Sequence, residues 1–191
     1  MIDRVAAEAL VAGRLSPART AHSRRVAAEA VELARIHGAD PSAAEVAGLL
    51  HDYCRELPAA EILGAAGHYG VPVGPAEARR PVGLLHGPVA AAELAEAGLL
   101  DPEVAGAIAL HTVGGEGMTV LEKCLYLADF CEPGRGFPGL EDVRALSRAS
   151  LDEAVAAAAR LSLLDLIGRR RGVVPAALSL YNEHYAGQYG L

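Results

Sequence analysis

Residues 46–52 have the sequence VAGLLHD, an apolar helical segment that ends in an adjacent histidine and aspartate. The helix begins at Asp40-Pro41, where an N-cap carboxylate precedes a proline in the first turn. Neighbouring helical residues point about 100° apart, so His51 and Asp52 diverge enough to contact different parts of one cluster. We therefore expect an apolar helix that presents two ligand-type side chains at its C-terminal end.

The same start and stop signals predict helices along most of the chain. The expected helices begin at or beside Ser16, Asp40, Pro58, His86, Asp101, Thr119, Asp142 and Pro175. Residues 71–85, rich in proline and glycine, are expected to form an irregular loop, and Pro88 to lie in the first turn of the helix after His86. The helix from Asp142 is expected to run to about Gly168. No segment alternates apolar and polar residues as a strand does, so we predict an all-α fold, a compact bundle of about eight to ten helices.

The composition supports the same fold class. Apolar residues make up 52% of the chain, but aromatic residues only 4%, and there is no tryptophan. The core must therefore be aliphatic, built mainly from alanine, leucine and valine. Alanine and leucine are the strongest helix formers, and 191 residues are enough for one domain of ordinary size.

The cysteines and the N-terminus indicate where the protein works. Three cysteines, Cys54, Cys124 and Cys131, show no C-x-x-C spacing and are expected to be buried thiols in a reducing cytoplasm. Residues 1–15 carry several charges and lack the apolar segment of a signal peptide. No apolar run approaches the length of about 20 residues that a membrane span needs. We expect a soluble cytoplasmic protein that makes no membrane contact.

Six ligand-type side chains dominate the chemistry of the chain, and each lies at or near the end of a predicted helix. They are His22, His51, Asp52, His86, His111 and Asp129. A carboxylate has two oxygens, so Asp52 can bridge two metal ions while His51 binds one of them. In this hypothesis His22 and Asp129 complete the first metal site, and His86 and His111 serve the second.

Imidazole and carboxylate ligands suit iron, manganese, cobalt, nickel or zinc better than magnesium or calcium. Two such ions about 3.5–4 Å apart can generate a hydroxide and brace a phosphoryl oxygen. Two of these histidines also have a structural explanation when taken alone: His86 could be a loop or helix N-terminal residue, and His111 a cation at a helix C-terminus. His37, His68 and His184 are assigned structural or surface roles.

The net charge of −7, from 17 basic and 24 acidic residues, bears on the partner. Nucleic-acid binders usually carry a basic stripe, and the densest basic run here, residues 169–171, is interpreted as a helix C-terminus. We therefore expect no nucleic-acid polymer as partner. A small anionic substrate remains compatible with the charge, because two divalent cations add positive charge locally.

Four segments occur in an order that carries a resemblance. They are residues 49–52 (LLHD), 84–87 (LLHG), 107–112 (AIALHT) and 128–139 (ADFCEPGRGFPG). The series resembles the YqeK family of HD proteins, the symmetrical bis(5′-nucleosyl)-tetraphosphatases of bacteria, from about His22 to Asn182. The resemblance implies an all-helical HD fold, a di-iron site and hydrolysis of diadenosine tetraphosphate to two ADP.

The resemblance also implies residue roles. All six metal ligands are matched, and Arg135 matches an arginine that could clamp phosphate. Arg55 stands where the family usually has lysine, so it keeps the positive charge but cannot release a proton. Val113 replaces a threonine after Thr112. The expected catalytic residues are Asp52 and Arg55, and the expected substrate contacts are Arg55, Arg135 and Thr112.

The leading hypothesis is a dinucleoside tetraphosphate hydrolase with two divalent transition-metal ions, in which a metal-bound hydroxide attacks an inner phosphorus. We expect one domain over residues 1–191, with the metal-site core at about 16–135 and C-terminal helices at about 140–187. The alternatives are an HD-type phosphohydrolase of mononucleotides and a nucleotide-sensing HD module without turnover. The sequence leaves the base preference and an oligomer open.

Overall fold

The computed structural model describes residues 2–189, and the side chains of residues 2–185. Eleven helices and no strand occur in this range, which confirms the all-α fold and exceeds the expected helix number by one. The helices are α1 (Arg4–Arg14), α2 (Pro17–His37), α3 (Pro41–Leu50), α4 (Ala59–His68), α5 (Pro75–Arg79), α6 (Pro81–Glu96), α7 (Pro102–Leu110), α8 (Val120–Cys131), α9 (Leu140–Ala149), α10 (Leu151–Gly168) and α11 (Pro175–Tyr189). Within residues 2–189, none of them is both long and apolar enough to cross a membrane.

Four of the helix starts that the sequence predicts rest on side-chain caps, at Ser16, Asp40, Asp101 and Thr119. Ser16 accepts a hydrogen bond from the backbone N–H of Arg19, and Asp40 accepts one from that of Ser42, each just before a proline in the first turn. Thr119 and Glu122 form a reciprocal capping box at the start of α8. Each cap satisfies backbone donors that the first helical turn leaves free.

Two predicted element boundaries are wrong. Helix α6 begins at Pro81 rather than after His86, and α5 occupies part of the predicted loop 71–85. His86 therefore lies inside a helix, and Pro88 interrupts that helix without ending it. Leu85 and Val89, on either side of Pro88, are buried in the core. This packing keeps α6 helical past the proline, because it outweighs the loss of one backbone hydrogen bond.

The predicted helix from Asp142 to Gly168 is two helices. Ser150 between them is extended, with φ −152° and ψ 116°, and its hydroxyl accepts from the backbone N–H of Glu153. Ser150 followed three residues later by Glu153 is a start signal that the sequence analysis did not use. At the N-terminus, α1 was also not assigned, although Asp3 caps it by accepting from Ala6.

Close contact between α2 and α3 sets the geometry of the bundle. Helix α3 is buried along most of its length, and Gly48 lies against the backbone of α2. A Cβ atom at Gly48 would lie 2.8 Å from the backbone nitrogen of Ala27 and too close to its Cα as well. Only glycine permits this approach, which brings the start of α2 next to the end of α3.

Candidate metal centre

The fold brings the six ligand-type side chains together at one point. His22 lies on α2, His51 and Asp52 follow α3, His86 lies on α6, His111 follows α7 and Asp129 lies in the last turn of α8. The four histidines and Asp52 are buried, and Asp129 is half-buried. The expectation that all six lie near helix ends is wrong for His86, in the middle of α6, and for His22, well inside α2.

Asp52 is the centre of the cluster. Its Oδ1 lies 3.1 Å from His86 Nε2 and 4.0 Å from His111 Nε2. Its Oδ2 lies 3.4 Å from His51 Nε2 and 3.6 Å from His22 Nε2. The two oxygens of one carboxylate therefore face two different pairs of imidazoles.

Asp129 joins only one of these pairs. Its Oδ1 lies 3.2 Å from His22 Nε2 and 4.0 Å from His51 Nε2. On the other side, the Nε2 atoms of His86 and His111 are 3.0 Å apart. The ligand atoms of His22, His51 and Asp129 lie close enough to hold one ion, and those of His51, Asp52 and His111 form a second such group.

Backbone contacts set the tautomers of three imidazoles. Each Nδ1–H donates to a backbone carbonyl 2.7 Å away, three or four residues earlier in the chain. The pairs are His51 with Gly48, His86 with Val82 and His111 with Ile108. A carbonyl only accepts, so Nδ1 of each ring carries a proton, and Nε2 is the atom that faces the cluster and can bind a metal through its lone pair.

The arrangement of these nitrogen and oxygen atoms is suited to a cation. Lone pairs of His86 and His111 face each other at 3.0 Å with Asp52 beside them. In addition, Nε2 of His22 and Nε2 of His51 are buried without a hydrogen-bond partner. Buried polar atoms usually have a partner, and a divalent ion among these atoms would accept all of their lone pairs. The residues therefore fit a metal centre.

The protonation states suit such ions. Burial, together with the neighbouring His51 and His86, lowers the pKa of His111 to about 3, so His111 is a neutral ligand. Burial opposes ionisation of Asp52, but the adjacent His51, with His86 and His111, outweighs it, and together they hold the pKa of the carboxyl well below its usual value. Burial also disfavours charge on His51, yet Asp52 raises the pKa of this imidazole. A cation that binds at His51 Nε2 would therefore compete with a proton for this atom.

Three arginines and a threonine surround the cluster. Arg135 donates to Asp129 Oδ1, and Arg19 Nη1 donates to Asp52 Oδ2 at 2.9 Å. Arg55 donates to the carbonyl of Val82 at 3.2 Å and lies beside His86. Thr112 Oγ1 is 3.0 Å from His111 Nε2. Arg19 is not among the residues predicted from the sequence, although it lies one turn before His22 on α2 and therefore on the same face of the helix.

A cleft of about 650 Å³ opens from the cluster. Its arginines are Arg19, Arg55, Arg80, Arg135, Arg169 and Arg171. The volume suits a small ligand, and the charge suits an anion. The run at 169–171 does follow the C-terminus of α10, as predicted, but Arg169 and Arg171 also line the cleft. His37 lies elsewhere, with Nε2 bonded to the carbonyl of Ser147, in the structural role expected of it.

Comparison with known proteins decides the family. The HD domain family matches residues 19–134 of the chain, a range that contains all six ligand-type residues. The chain belongs to the HD domain family. This HD protein is 35% identical over 187 residues to the symmetrical bis(5′-nucleosyl)-tetraphosphatase of Bacillus subtilis (strain 168), covering 97% of this chain and 100% of that protein. It is 38% identical over 164 residues to the protein of the same name from Staphylococcus aureus, covering 84% of each chain.

These relatives confirm the resemblance to the symmetrical bis(5′-nucleosyl)-tetraphosphatases, and the HD protein belongs to their family. A solved structure agrees in fold. The crystal structure of a predicted HD superfamily hydrolase involved in NAD metabolism from Clostridium acetobutylicum superposes with a TM-score of 0.91 at 30% identity. The match covers 98% of this chain and 99% of that one. The C-terminal helices α9 to α11 are therefore part of the shared fold, although they lie beyond the HD match.

Proposed function

We propose that the protein is a metal-dependent bis(5′-nucleosyl)-tetraphosphatase (symmetrical), which hydrolyses diadenosine tetraphosphate to two ADP. The observation that carries the proposal is Asp52, whose two oxygens face two separate imidazole pairs at the end of an arginine-lined cleft. Relatives named for this activity match nearly the whole chain, which supports the same substrate class.

The proposed cofactor is a pair of divalent transition-metal ions, with iron first and manganese, cobalt, nickel or zinc as substitutes. The proposed ligands are His22, His51, Asp52, His86, His111 and Asp129. Two such ions, when bound, activate water near neutral pH and stabilise negative charge on phosphoryl oxygens. The chain supplies the neutral imidazole of His111 and the ionised carboxylate of Asp52 to help hold them.

The chain's own residues then position the phosphates. Arg55 and Arg135 would face the phosphate oxygens from the cleft wall and stabilise charge that develops there. Thr112 has a hydroxyl at the same wall that can donate to a phosphate oxygen. Asp52 joins the two halves of the centre and is the proposed catalytic carboxylate, together with Arg55. Guanidinium remains protonated, so Arg55 acts by charge rather than by proton transfer.

In the proposed reaction the oxygen of water forms a bond to one inner phosphorus, and the bond from that phosphorus to the central bridging oxygen breaks. One ADP leaves with the electron pair of the broken bond, and the other carries the new oxygen. The proton lost by water is taken up by solvent or by the leaving phosphate. This balance needs no oxidant, reductant or second substrate.

We also propose that residues 1–191 act as one HD-type domain, with the metal-site core at about 16–135 and the C-terminal helices at about 140–187. Helix α10 supports this unit, because its residues line the same cleft as Asp52. A cytoplasmic location is supported by Cys54, Cys124 and Cys131, which are all buried and unpaired. The net charge of −7 supports a small nucleotide, rather than a nucleic-acid polymer, as partner.

Chromatography of the initial products tests the reaction. Protein loaded with iron should convert diadenosine tetraphosphate to ADP alone, and heavy-oxygen water should place its label in ADP. Equal amounts of AMP and ATP would reject symmetrical cleavage. Phosphate release from mononucleotides with the dinucleotide untouched would favour a nucleotidase, and binding without turnover would favour a sensing module.

Single substitutions test the ligand assignment. Asp52→Ala should lower both metal occupancy and turnover, because it removes the carboxylate between the two halves. His86→Ala should mainly weaken the metal at its own half. His68→Ala is the matched control, since the ring of His68 packs against Tyr69 rather than in the cluster. Full turnover and two metals per chain in His86→Ala would remove His86 from the ligand set.

A further inference from the structure

His22 is held differently from the other three histidines of the cluster. The other rings donate Nδ1–H to uncharged backbone carbonyls. His22 instead has a carboxylate behind it: its Nδ1 lies 3.5 Å from Oε1 of Glu132. Glu132 is a buried acidic residue directly after α8, and it does not line the cleft. It is therefore placed to act on His22 and not on a bound nucleotide.

The other oxygen of Glu132 is already engaged. Arg25 Nε donates to Oε2 at 2.7 Å, and the backbone N–H of Gly134 donates to the same oxygen at 2.8 Å. These two donors fix the plane of the carboxylate and leave Oε1 directed at the ring of His22. Arg25 is on α2, as is His22, so one helix supplies both the anchor and the ring.

Gly134, in the loop after α8, leaves room for the Glu132 carboxylate and its partner Arg25. A Cβ atom there would lie 2.8 Å from Glu132 Oε1 and 3.0 Å from Arg25 NH2. Any larger residue would push the carboxylate away from its partners. If the Glu132–Arg25 ion pair served only to tie the loop to α2, Oε2 alone would be enough. The position of Oε1 beside His22 therefore needs a further explanation.

The two halves of the proposed centre consequently differ in the groups that lie behind their imidazoles. The half with His22 has Asp129 beside the ring and Glu132 behind it. The half with His86 and His111 has backbone carbonyls behind its rings, and the guanidinium of Arg55, a cation, lies 3.5 Å from His86 Nδ1. A carboxylate behind a ligand histidine fixes its orientation and increases its basicity, so it strengthens the bond to a metal.

We propose that Glu132 is a positioning residue that orients His22 and makes the half of the centre with His22 and Asp129 hold its metal more tightly than the half with His86 and His111. The inference rests on the proposed function, because it assumes two bound metals. Glu132 itself is not one of the six proposed ligands, and the two metal sites are expected to differ in affinity.

Stepwise removal of metal from the purified holoprotein tests the inference. A chelator titration, followed by elemental analysis, should show a weaker and a tighter metal in the wild type. In Glu132→Gln the tighter metal should weaken by about ten- to a hundred-fold, the usual effect of losing such a partner. The kcat should fall while the KM for diadenosine tetraphosphate stays unchanged, since Glu132 does not touch the cleft. Mössbauer spectra of the iron form should change at one of the two sites.

Two further variants separate positioning from folding. Arg25→Ala should weaken the tighter metal because it releases Glu132, and Arg25→Lys should restore part of the affinity. Glu29→Gln is the matched control: Glu29 pairs with Arg148 at 2.8 Å, also between α2 and another helix, but contacts no cluster histidine. Glu29→Gln should leave both metal affinities unchanged.

The outcomes distinguish this inference from the proposed function. Suppose that the wild-type protein binds two metals. If Glu132→Gln then releases them with the same curve, or loses affinity equally at both sites, the proposed role of Glu132 is wrong but the proposed function stands. A weaker site that survives His22→Ala but disappears in His86→Ala supports the order proposed. A wild-type protein without metal under all loading conditions overturns the proposed function and this inference with it.

Discussion

Gly48→Ala should destabilise the protein and disturb the metal cluster together. The added methyl would lie 2.8 Å from the backbone nitrogen of Ala27 and 3.0 Å from its Cβ, against about 3.5–4.0 Å for an ordinary contact. The obstacle is backbone, so α2 and α3 must separate by roughly 1 Å. Such overpacking costs about 3 kcal/mol at the upper end of its range. Alanine recovers about 1 kcal/mol through its higher helix propensity, which leaves a net loss of about 2 kcal/mol.

The same separation should weaken metal binding. His22 lies on α2 and His51 follows α3, with ring centroids 5.3 Å apart. A displacement of about 1 Å exceeds the tolerance of roughly 0.5 Å that a preorganised site allows. We expect the metal affinity to fall about tenfold, or about 1.4 kcal/mol.

Denaturant unfolding of the metal-free protein measures the stability change without the contribution of bound ions. Gly64→Ala is the control, because Gly64 is exposed on α4 and no atom lies within 4 Å of a Cβ there. It should gain about 0.5–1 kcal/mol from helix propensity and leave the metal content unchanged. The reasoning about helix contact is refuted if Gly48→Ala is as stable as Gly64→Ala and binds metal normally.

Three other predictions address the site. Gly87→Ala should lower metal affinity at least tenfold in a competition titration. The added Cβ would lie 2.8 Å from the carbonyl oxygen of Ile108 and 2.9 Å from the ring of His111, so the ring must move. An unchanged titration would contradict this packing argument. Arg55→Ala should slow turnover at least tenfold, about 1.4 kcal/mol of barrier, whereas Arg55→Lys should keep much of the rate; a wild-type rate in Arg55→Ala would remove this residue from the mechanism. Metal affinity should fall on acidification from about pH 8 to pH 6. The pKa of His51 is raised, so this imidazole takes up a proton that a metal must displace. His111, with a pKa of about 3, stays neutral over this range. A flat affinity across this range would show that His51 is not protonated in the metal-free state.

Local sequence signals were sufficient for most helix starts. The caps at Ser16, Asp40, Asp101 and Thr119 each satisfy backbone donors within three residues, so they act before any tertiary contact forms. The same reasoning failed where packing outweighs a local preference. Pro88 is tolerated inside α6 because the buried face of the helix holds it, and no local pattern reveals that support.

The sequence by itself determined the fold class, the family and the six side chains that could bind metal. The aliphatic composition, the helix caps and the order of the His and Asp segments can all be read directly from the sequence. These signals depend on residue type and short spacing, and neither needs the chain to be folded.

Only the tertiary structure decided how those side chains meet. Gly48 against Ala27 brings two helices into backbone contact, and Asp52 thereby faces histidines from four different segments. Arg19 and Glu132 went unrecognised for the same reason: their partners are 33 and 110 residues away, at Asp52 and His22. Contacts over such separations depend on the packing of whole helices, which periodicity and composition do not encode.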